Sequence, residues 1–171
     1  MAVATLVPTD EYLSTSWDPD REYLAGRLIE RNPGELDHSY LQYLMAKLLD
    51  RRGLLPFVEL RVQVRANRFR IPDVLAIRGA RPSGRFLRQA PYIVIEILSR
   101  DDRAGDIDDK IDDYLELEVE NIWVIDPRRL RVGIRTGDGS RICRETVETL
   151  DGELSIALSE IFADMQSTED Q

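Results

Sequence analysis

The chain has 171 residues, of which 43% are hydrophobic and 32% charged, and its net charge is −9. This length suits one domain with a real hydrophobic core. The sequence shows no apolar run long enough to span a bilayer and no basic-then-apolar leader, so it predicts a cytoplasmic protein without a membrane partner. Its single cysteine, Cys143, excludes an internal disulfide.

The amino-terminal part of the chain predicts helices, a hairpin and a strand. A short helix is expected over residues 9–13, and Ala25-Gly26 between two short apolar stretches predicts a tight hairpin. From Asp37, an expected N-cap, apolar residues recur at three- and four-residue spacing and predict an amphipathic helix. Residues 58–65 then alternate between apolar and polar, which predicts a half-buried strand.

The middle of the chain predicts buried strands and a second long helix. Residues 73–77 and 92–98 are nearly continuous apolar stretches, which is typical of central strands covered on both faces. A helix is expected over residues 106–117, and a buried strand follows at residues 121–125. Two shorter alternating strands are expected over residues 130–135 and 141–147, and residues 154–158 with Ile161 and Phe162 end the ordered chain.

The order of these elements predicts a single α/β domain over residues 1–165 with a core of order α-β-β-β-α-β. The sequence contains no internal repeat, linker or low-complexity block. Residues 166–171 are expected to form a disordered tail.

Two acidic residues interrupt the predicted central strands, Asp73 in the first and Glu96 in the second. An unpaired carboxylate in a dry sheet costs several kcal/mol, which is on the order of the total stability of a small domain. We therefore expect a cation to meet these two carboxylates.

Lys110 is the only cation of the second predicted helix, and it shares a face with Ile111 and Tyr114. Its ammonium should therefore point toward the sheet, where it needs a carboxylate or a phosphate. The alternative is a side chain at the edge of the apolar face that pairs within its own helix, with Asp106 or Asp113.

Two carboxylates on neighbouring strands with a nearby ammonium form a site of hard oxygen ligands that suits Mg²⁺ or Mn²⁺. Such an ion lowers the pKa of a bound water and offsets charge on a phosphoryl oxygen. One histidine and one cysteine cannot supply a closed zinc site. The sequence also lacks a nucleophile-elbow motif, a P-loop and a dinucleotide-binding glycine pattern.

Residues 61–88 contain eight arginines and a single acid, a net charge of +7, which leaves −16 for the rest of the chain. Phosphate binding depends on the field within roughly 8 to 10 Å, so an acidic protein can still present a cationic face to nucleic acid. The alternative is a solvated strand face and loop. The candidate nucleic-acid contacts are Gln63, Arg65, Arg68, Arg70, Arg81 and Arg85.

Several motifs together resemble the Uma-two family of putative restriction endonucleases, a branch of the PD-(D/E)XK nuclease superfamily. The likeness extends from Tyr12 to Phe162 and includes Tyr23 with the hairpin that follows it. The motifs are Ile71-Pro72-Asp73, Val94-Ile95-Glu96-Ile97-Leu98-Ser99, Lys110 with Tyr114, and Ile122-Trp123-Val124-Ile125-Asp126-Pro127.

This resemblance implies a restriction-endonuclease-like core with a central mixed sheet, helices on its flanks and an amino-terminal hairpin. It implies that Asp73 and Glu96 hold a divalent metal and that Lys110 serves the attacking water. The superfamily usually places its lysine two residues after the second acid, where this chain has Leu98. Members with this form take the lysine from the following helix.

Two weaker candidates are Glu30, which would complete the metal shell, and His38, which would bind phosphate or a water near the metal. The alternatives are an exposed carboxylate at a strand end for Glu30 and a capping or surface role for His38. Glu35 competes with Glu30 for the same role. The implied activity is metal-dependent endonuclease cleavage of nucleic acid, with DNA as the expected substrate and a homodimer as the expected assembly. The alternative is a catalytically idle module of the same fold that binds nucleic acid or a protein.

Overall fold

The structure is a computed structural model that describes residues 6–31 and 34–165, so the predicted tail lies outside the described residues. The helices are α1 (Thr9–Ser14), α2 (Leu36–Asp50), α3 (Ala104–Glu116) and α4 (Leu158–Phe162). The strands are β1 (Arg21–Leu24), β2 (Arg27–Glu30), β3 (Leu55–Val58), β4 (Val62–Arg65), β5 (Arg68–Arg70), β6 (Val74–Ile77), β7 (Ile93–Ile97), β8 (Asn121–Asp126), β9 (Arg131–Thr136), β10 (Gly139–Ile142), β11 (Thr146–Glu148) and β12 (Ser155–Ala157).

A six-stranded sheet in the order β10-β9-β8-β7-β6-β3 forms the centre of the fold. Strands β7 and β8 are parallel and the other neighbours are antiparallel, which confirms the predicted mixed sheet. The parallel pair requires a crossover, and α3 supplies it. Within the described residues no helix is long and apolar enough to cross a membrane.

The two long helices cover opposite faces of this sheet. Residues Leu41 and Met45 of α2 belong to a core cluster with Ile93 and Ile95 of β7, whereas α3 packs in a second cluster with Val94. Successive residues of a strand point to opposite faces, so Glu96 lies on the same face as Val94 and therefore beneath α3. This arrangement brings the side chains of α3 to Glu96.

The amino-terminal hairpin forms as predicted and joins a second sheet, in the order β2-β1-β5-β4. Both turn residues have positive φ, 49° at Ala25 and 92° at Gly26. A side chain at Gly26 would also crowd Leu6, since an added Cβ would lie 3.0 Å from the Leu6 Cβ. This sheet carries an aromatic cluster of Tyr12, Tyr23 and Phe69.

Several boundaries differ from the predictions: the strand predicted over residues 141–147, for example, is divided between β10 and β11. Two differences lie near the site. The strand expected over residues 58–65 is interrupted at Glu59, which has a φ of 53°, and its halves enter different sheets. The alternation of apolar and polar residues continues through the break, so the sequence pattern does not reveal it. The N-cap of α2 is Glu35, not Asp37, and no side chain caps the helix. The prediction of one domain over residues 1–165 stays a prediction.

Candidate metal and nuclease site

A cavity of about 720 Å³ opens where the hairpin, the start of α2 and the start of α3 meet the central sheet. The three principal candidates from the sequence, Asp73, Glu96 and Lys110, all line it. The expected grouping of two carboxylates and an amine is therefore present at one place in the fold.

Asp73 lies immediately before β6 and is buried. Its carboxylate accepts hydrogen bonds from the Ile97 amide at 2.7 Å and from Arg31 at 2.9 Å, and the His38 Nε2 lies 3.2 Å away. Burial alone would raise the pKa of Asp73, but the hydrogen bond and the charge of His38 lower it below its ordinary value. Asp73 is therefore ionised at neutral pH.

Glu96 lies in β7 and is also buried. The Tyr114 hydroxyl donates to its Oε1 at 2.6 Å, and the Lys110 Nζ lies 3.3 Å from its Oε2. Burial raises the pKa of Glu96 to about 7, with repulsion from Asp73 and Glu22 adding to the effect and the Lys110 charge opposing it. Burial is thus the main reason that Glu96 holds its proton more tightly than an exposed glutamate.

Lys110 reaches the cavity from the crossover helix, as its helical period predicts. Its Nζ lies 3.3 Å from Glu96 and 3.4 Å from Glu22. Burial lowers the pKa of Lys110, but the charges of Glu96 and Glu22 outweigh burial and raise it. The side chain stays an ammonium at neutral pH, so it can orient a water or offset phosphate charge but does not accept a proton. The alternative pairing with Asp106 or Asp113 is not observed.

Glu22 is a site residue that the sequence analysis missed. It lies in β1, is buried, and accepts hydrogen bonds from the Arg70 guanidinium at 2.9 Å and from the Ile71 amide at 3.0 Å. The sequence did contain an indication of this role, since Glu22 is next to Tyr23 in a strand. A strand that buries Tyr23 on one face directs Glu22 to the opposite face. That opposite face borders the cavity.

Arg31 and Gln42 were also missed. Arg31 follows β2 and pairs with Asp73, and the Gln42 amide donates to Glu59 at 3.0 Å and lies 3.5 Å from an Asp73 oxygen. Gln42 belongs to the buried side of α2 among leucines, so a polar residue on an apolar helical face was the signal for it.

The two weaker candidates fall in different places. His38 contacts Asp73 directly, and its pKa is raised because the hydrogen bond to Asp73 outweighs burial, which acts to lower it. Glu30 is at the cavity rim with its side chain 63% exposed, and its nearest cation is Arg21 at 3.9 Å. Glu35 is exposed and pairs with Arg100 at 3.6 Å. The hairpin acid that reaches the site is Glu22.

The arginine-rich segment is less cationic in the fold than in the sequence. Five of its eight arginines pair with acids from elsewhere in the described chain, which are Arg61 with Asp20, Arg65 with Asp113 and Glu116, Arg68 with Asp113, Arg70 with Glu22 and Asp113, and Arg78 with Asp151 and Glu153. The remaining three, Arg81, Arg85 and Arg88, are exposed on the loop between β6 and β7. Of the expected cationic face, this loop holds the arginines without an acid partner among the described residues, and Arg65 and Arg68 stay partly exposed but paired with Asp113.

Two of the predicted nucleic-acid contacts need correction. Arg70 is buried between Glu22 and Asp113, so it belongs to the interior and not to a surface that tracks phosphates. Gln63 was expected beside Asp73, but β4 pairs with β5 instead of β6, and the Gln63 amide donates to the Ala66 carbonyl. The break at Glu59 is the reason, since it directs β4 into the second sheet.

The residues at the cavity suit a hard divalent cation. In the described residues no three His, Cys, Asp or Glu side chains converge as a metal-binding group. Mg²⁺, however, takes one or two protein carboxylates and completes its shell with water and substrate phosphate. Asp73 and Glu96 provide those oxygens, and both carboxylates line the same cavity beside the Lys110 ammonium. The donor set therefore fits.

The metal-free protein should lose stability as the pH rises from 4.5 toward 7. Folding raises the pKa of the Glu96 carboxyl group, so the folded protein keeps its proton at pH values where the unfolded chain has already released it. The free energy of unfolding therefore falls as the pH rises from the unfolded-state pKa to the folded-state pKa. The pKa of Glu96 is raised from an ordinary 4.5 to about 7, so the expected loss in the free energy of unfolding is roughly 3 kcal/mol. Urea unfolding in EDTA at about pH 5 and about pH 8 measures it.

The Glu96→Gln variant should lack this part of the pH dependence, because an amide does not titrate. The matched control is Glu120→Gln, which changes an exposed residue and should behave as wild type. An equal pH dependence in wild type and Glu96→Gln would contradict the raised pKa.

A mixed sheet with an acid before one strand, an acid within the next and a lysine on the crossover helix is the arrangement that the resemblance to restriction-endonuclease-like nucleases implies. A solved structure described as a "putative nuclease" from Anabaena variabilis shares the fold, with a TM-score of 0.75 and 23% sequence identity over 92% of this chain and 98% of that one. The search of curated proteins found no match.

The model of the Uma-two family, described as "Putative restriction endonuclease", matches residues 10–169. The chain belongs to this family. The predicted resemblance and fold class are thereby confirmed, and the family supports a nuclease that acts on nucleic acid.

Proposed function

We propose that this protein is an endonuclease that depends on Mg²⁺ or Mn²⁺ and hydrolyses phosphodiester bonds of DNA. The single observation that carries the proposal is the meeting of Asp73, Glu96 and Lys110 in one cavity of a nuclease fold. The metal ligands in this proposal are Asp73 and Glu96. DNA as the substrate, a homodimer as the assembly and a cytoplasmic location stay predictions.

The chain's own residues have separate tasks in this proposal. A divalent cation, when bound, would polarise a phosphoryl oxygen of the substrate and lower the pKa of a bound water. Tyr114 fixes the orientation of the Glu96 carboxylate through its 2.6 Å hydrogen bond. The Lys110 ammonium, held 3.3 Å from Glu96, orients the attacking water and offsets charge that develops on the phosphate. His38 holds Asp73 from the side of α2.

The exposed arginines of the loop between β6 and β7 are the proposed phosphate contacts away from the site. Arg81 and Arg85 belong to this loop, and Arg65 and Arg68 add partly exposed guanidinium groups near the start of β5. Such contacts strengthen binding without reading sequence. Of these four arginines, Arg68 lines the cavity itself.

A second candidate function is a catalytically idle module that binds nucleic acid or a protein. Two observations favour it: the net charge of −9, and cationic or hydrogen-bond partners on both the Asp73 and the Glu96 carboxylates. Metal dependence separates the two candidates, because an idle module binds without divalent ions and cuts nothing.

Cleavage of a supercoiled plasmid should appear on addition of Mg²⁺ or Mn²⁺ and stop on addition of EDTA. Single-stranded DNA and RNA of the same sequence test the substrate class in parallel. The Lys110→Ala variant, purified in the same way, should cut more slowly than wild type. A lower rate for the variant would exclude a contaminating nuclease as the source of the cleavage. Absence of cleavage by the wild type in either metal would contradict the proposal and leave the binding module.

A further inference from the structure

Glu59 adopts a strained backbone conformation at the edge of the cavity. Its φ of 53° lies in the left-handed region, which is unfavourable for a residue with a side chain. Its amide donates to the Asp73 carbonyl at 3.2 Å, so the strained turn is tied to the chain at a candidate metal ligand. Strain of this kind persists where the surrounding structure imposes it, and it concentrates at functional sites.

The strained turn presents the Glu59 carboxylate to a guanidinium. The Arg31 Nη1 lies 3.1 Å from a Glu59 oxygen, and the Arg31 Nη2 lies 2.9 Å from an Asp73 oxygen. Gln42 supports the same Glu59 oxygen at 3.0 Å. One guanidinium thus spans two carboxylates, with its side chain only 16% exposed and at the wall of the cavity.

This position suits a contact to phosphate. Two parallel N–H groups of a guanidinium match two oxygens of a phosphate as well as they match two carboxylate oxygens. Two other cations at the cavity each lie between two buried acids that include Glu22, Arg70 with Asp113 as the second acid and Lys110 with Glu96. The Glu59 side chain is 48% exposed, so its pairing with Arg31 is screened by water and is readily exchanged.

We propose that Arg31 is a catalytic residue that contacts the phosphate whose ester bond is cut, and that Glu59 is a positioning residue that orients Arg31 toward it. This inference rests on the proposed nuclease function. It assigns a role to a strained residue and an arginine that the grouping of Asp73, Glu96 and Lys110 leaves unexplained.

The test measures binding and cleavage separately. Fluorescence anisotropy in EDTA gives the affinity for one DNA duplex at a series of salt concentrations, and initial rates in Mg²⁺ give kcat and KM. Arg31→Gln should lower kcat/KM about 10- to 100-fold, as expected for a lost charged hydrogen bond. It should also reduce the slope of log affinity against log salt by about 0.9, the value of one phosphate contact.

Three further variants distinguish contact from structure. Arg31→Lys keeps the charge and should keep the salt slope while kcat falls, since an ammonium does not replace the planar fork. Glu59→Gln should lower kcat and leave the slope unchanged. The matched control is Arg52→Gln, which changes a partly exposed arginine that pairs with Glu160 outside the cavity and should alter neither quantity.

The outcomes separate this inference from the proposed function. A wild-type slope and wild-type kcat/KM for Arg31→Gln, in a protein whose Asp73→Asn variant has lost cleavage, would overturn the role of Arg31 alone. A wild type that cuts in no metal would overturn both. If Arg31→Gln does not fold, Arg31→Lys carries the test, and a wild-type kcat for it overturns the inference.

Discussion

Replacing Asp73 with asparagine should reduce DNA cleavage about 10³-fold or more, which is the order expected when a preorganised electrostatic group is lost from a catalytic site. Asparagine keeps the size of the side chain but loses the negative charge that a divalent cation needs. It also presents an NH₂ group toward donors such as the Ile97 amide, which now donates to an Asp73 oxygen at 2.7 Å. Initial rates on plasmid and duplex substrates in Mg²⁺ and Mn²⁺ measure the change.

The matched control is Asp50→Asn, which changes an exposed aspartate at the end of α2 and should leave the rate unchanged. Far-UV circular dichroism of the variants confirms that each is folded. Glu96→Ala and Lys110→Ala test the other two residues in the same assay. Wild-type cleavage by all three variants would rule out the proposed site.

Replacing Arg70 with methionine should cost up to about 3–5 kcal/mol of the free energy of unfolding, the value for a buried charge that loses its partner. Arg70 is 4% exposed and lies 2.9 Å from Glu22 and 2.6 Å from Asp113, so its removal takes one cation from each of two buried carboxylates. Glu22 keeps Lys110 at 3.4 Å and Asp113 keeps the partly exposed Arg68 at 2.6 Å, so the charges are only partly compensated. The penalty of an uncompensated buried charge exceeds the value of the ion pair itself. Urea unfolding in EDTA at neutral pH measures the loss.

Arg65→Met is the matched control, because Arg65 also pairs with Asp113 but is 41% exposed. Its expected cost is below about 1 kcal/mol, since water screens exposed pairs. The double variant Arg70→Met with Asp113→Leu should recover part of the stability, because it removes one of the two buried carboxylates that lose Arg70. An Arg70→Met protein as stable as wild type would contradict the buried network.

The central part of the site could be predicted because its chemistry conflicts with its surroundings. Asp73 and Glu96 stand out as acids within apolar stretches, and the helical period of Lys110 directs its amine to the same sheet. The mixed order of strands and helices also follows from the lengths of the apolar runs. These signals are local, so a single sequence contains them.

The remaining site residues depend on partners that local sequence does not specify. Arg70 was assigned to the surface by its charge, and the acid that buries it, Asp113, lies 43 residues further along the chain. Glu22 belongs to a short hairpin strand in which polar residues are ordinary. The change of sheet at Glu59 is a change of one backbone angle, and the alternation of side chains continues across it.

The bond from the Ile97 amide to Asp73 has a consequence for evolution of the site. This bond anchors Asp73 to the main chain of β7, the strand that carries Glu96. The separation of the two acids therefore depends on backbone geometry, which side-chain substitutions in the neighbouring core do not alter. Drift among those apolar neighbours is therefore compatible with an unchanged spacing of the acids. Lengthening Asp73 to glutamate, by a single methylene, would disturb that spacing more than many conservative changes in the core.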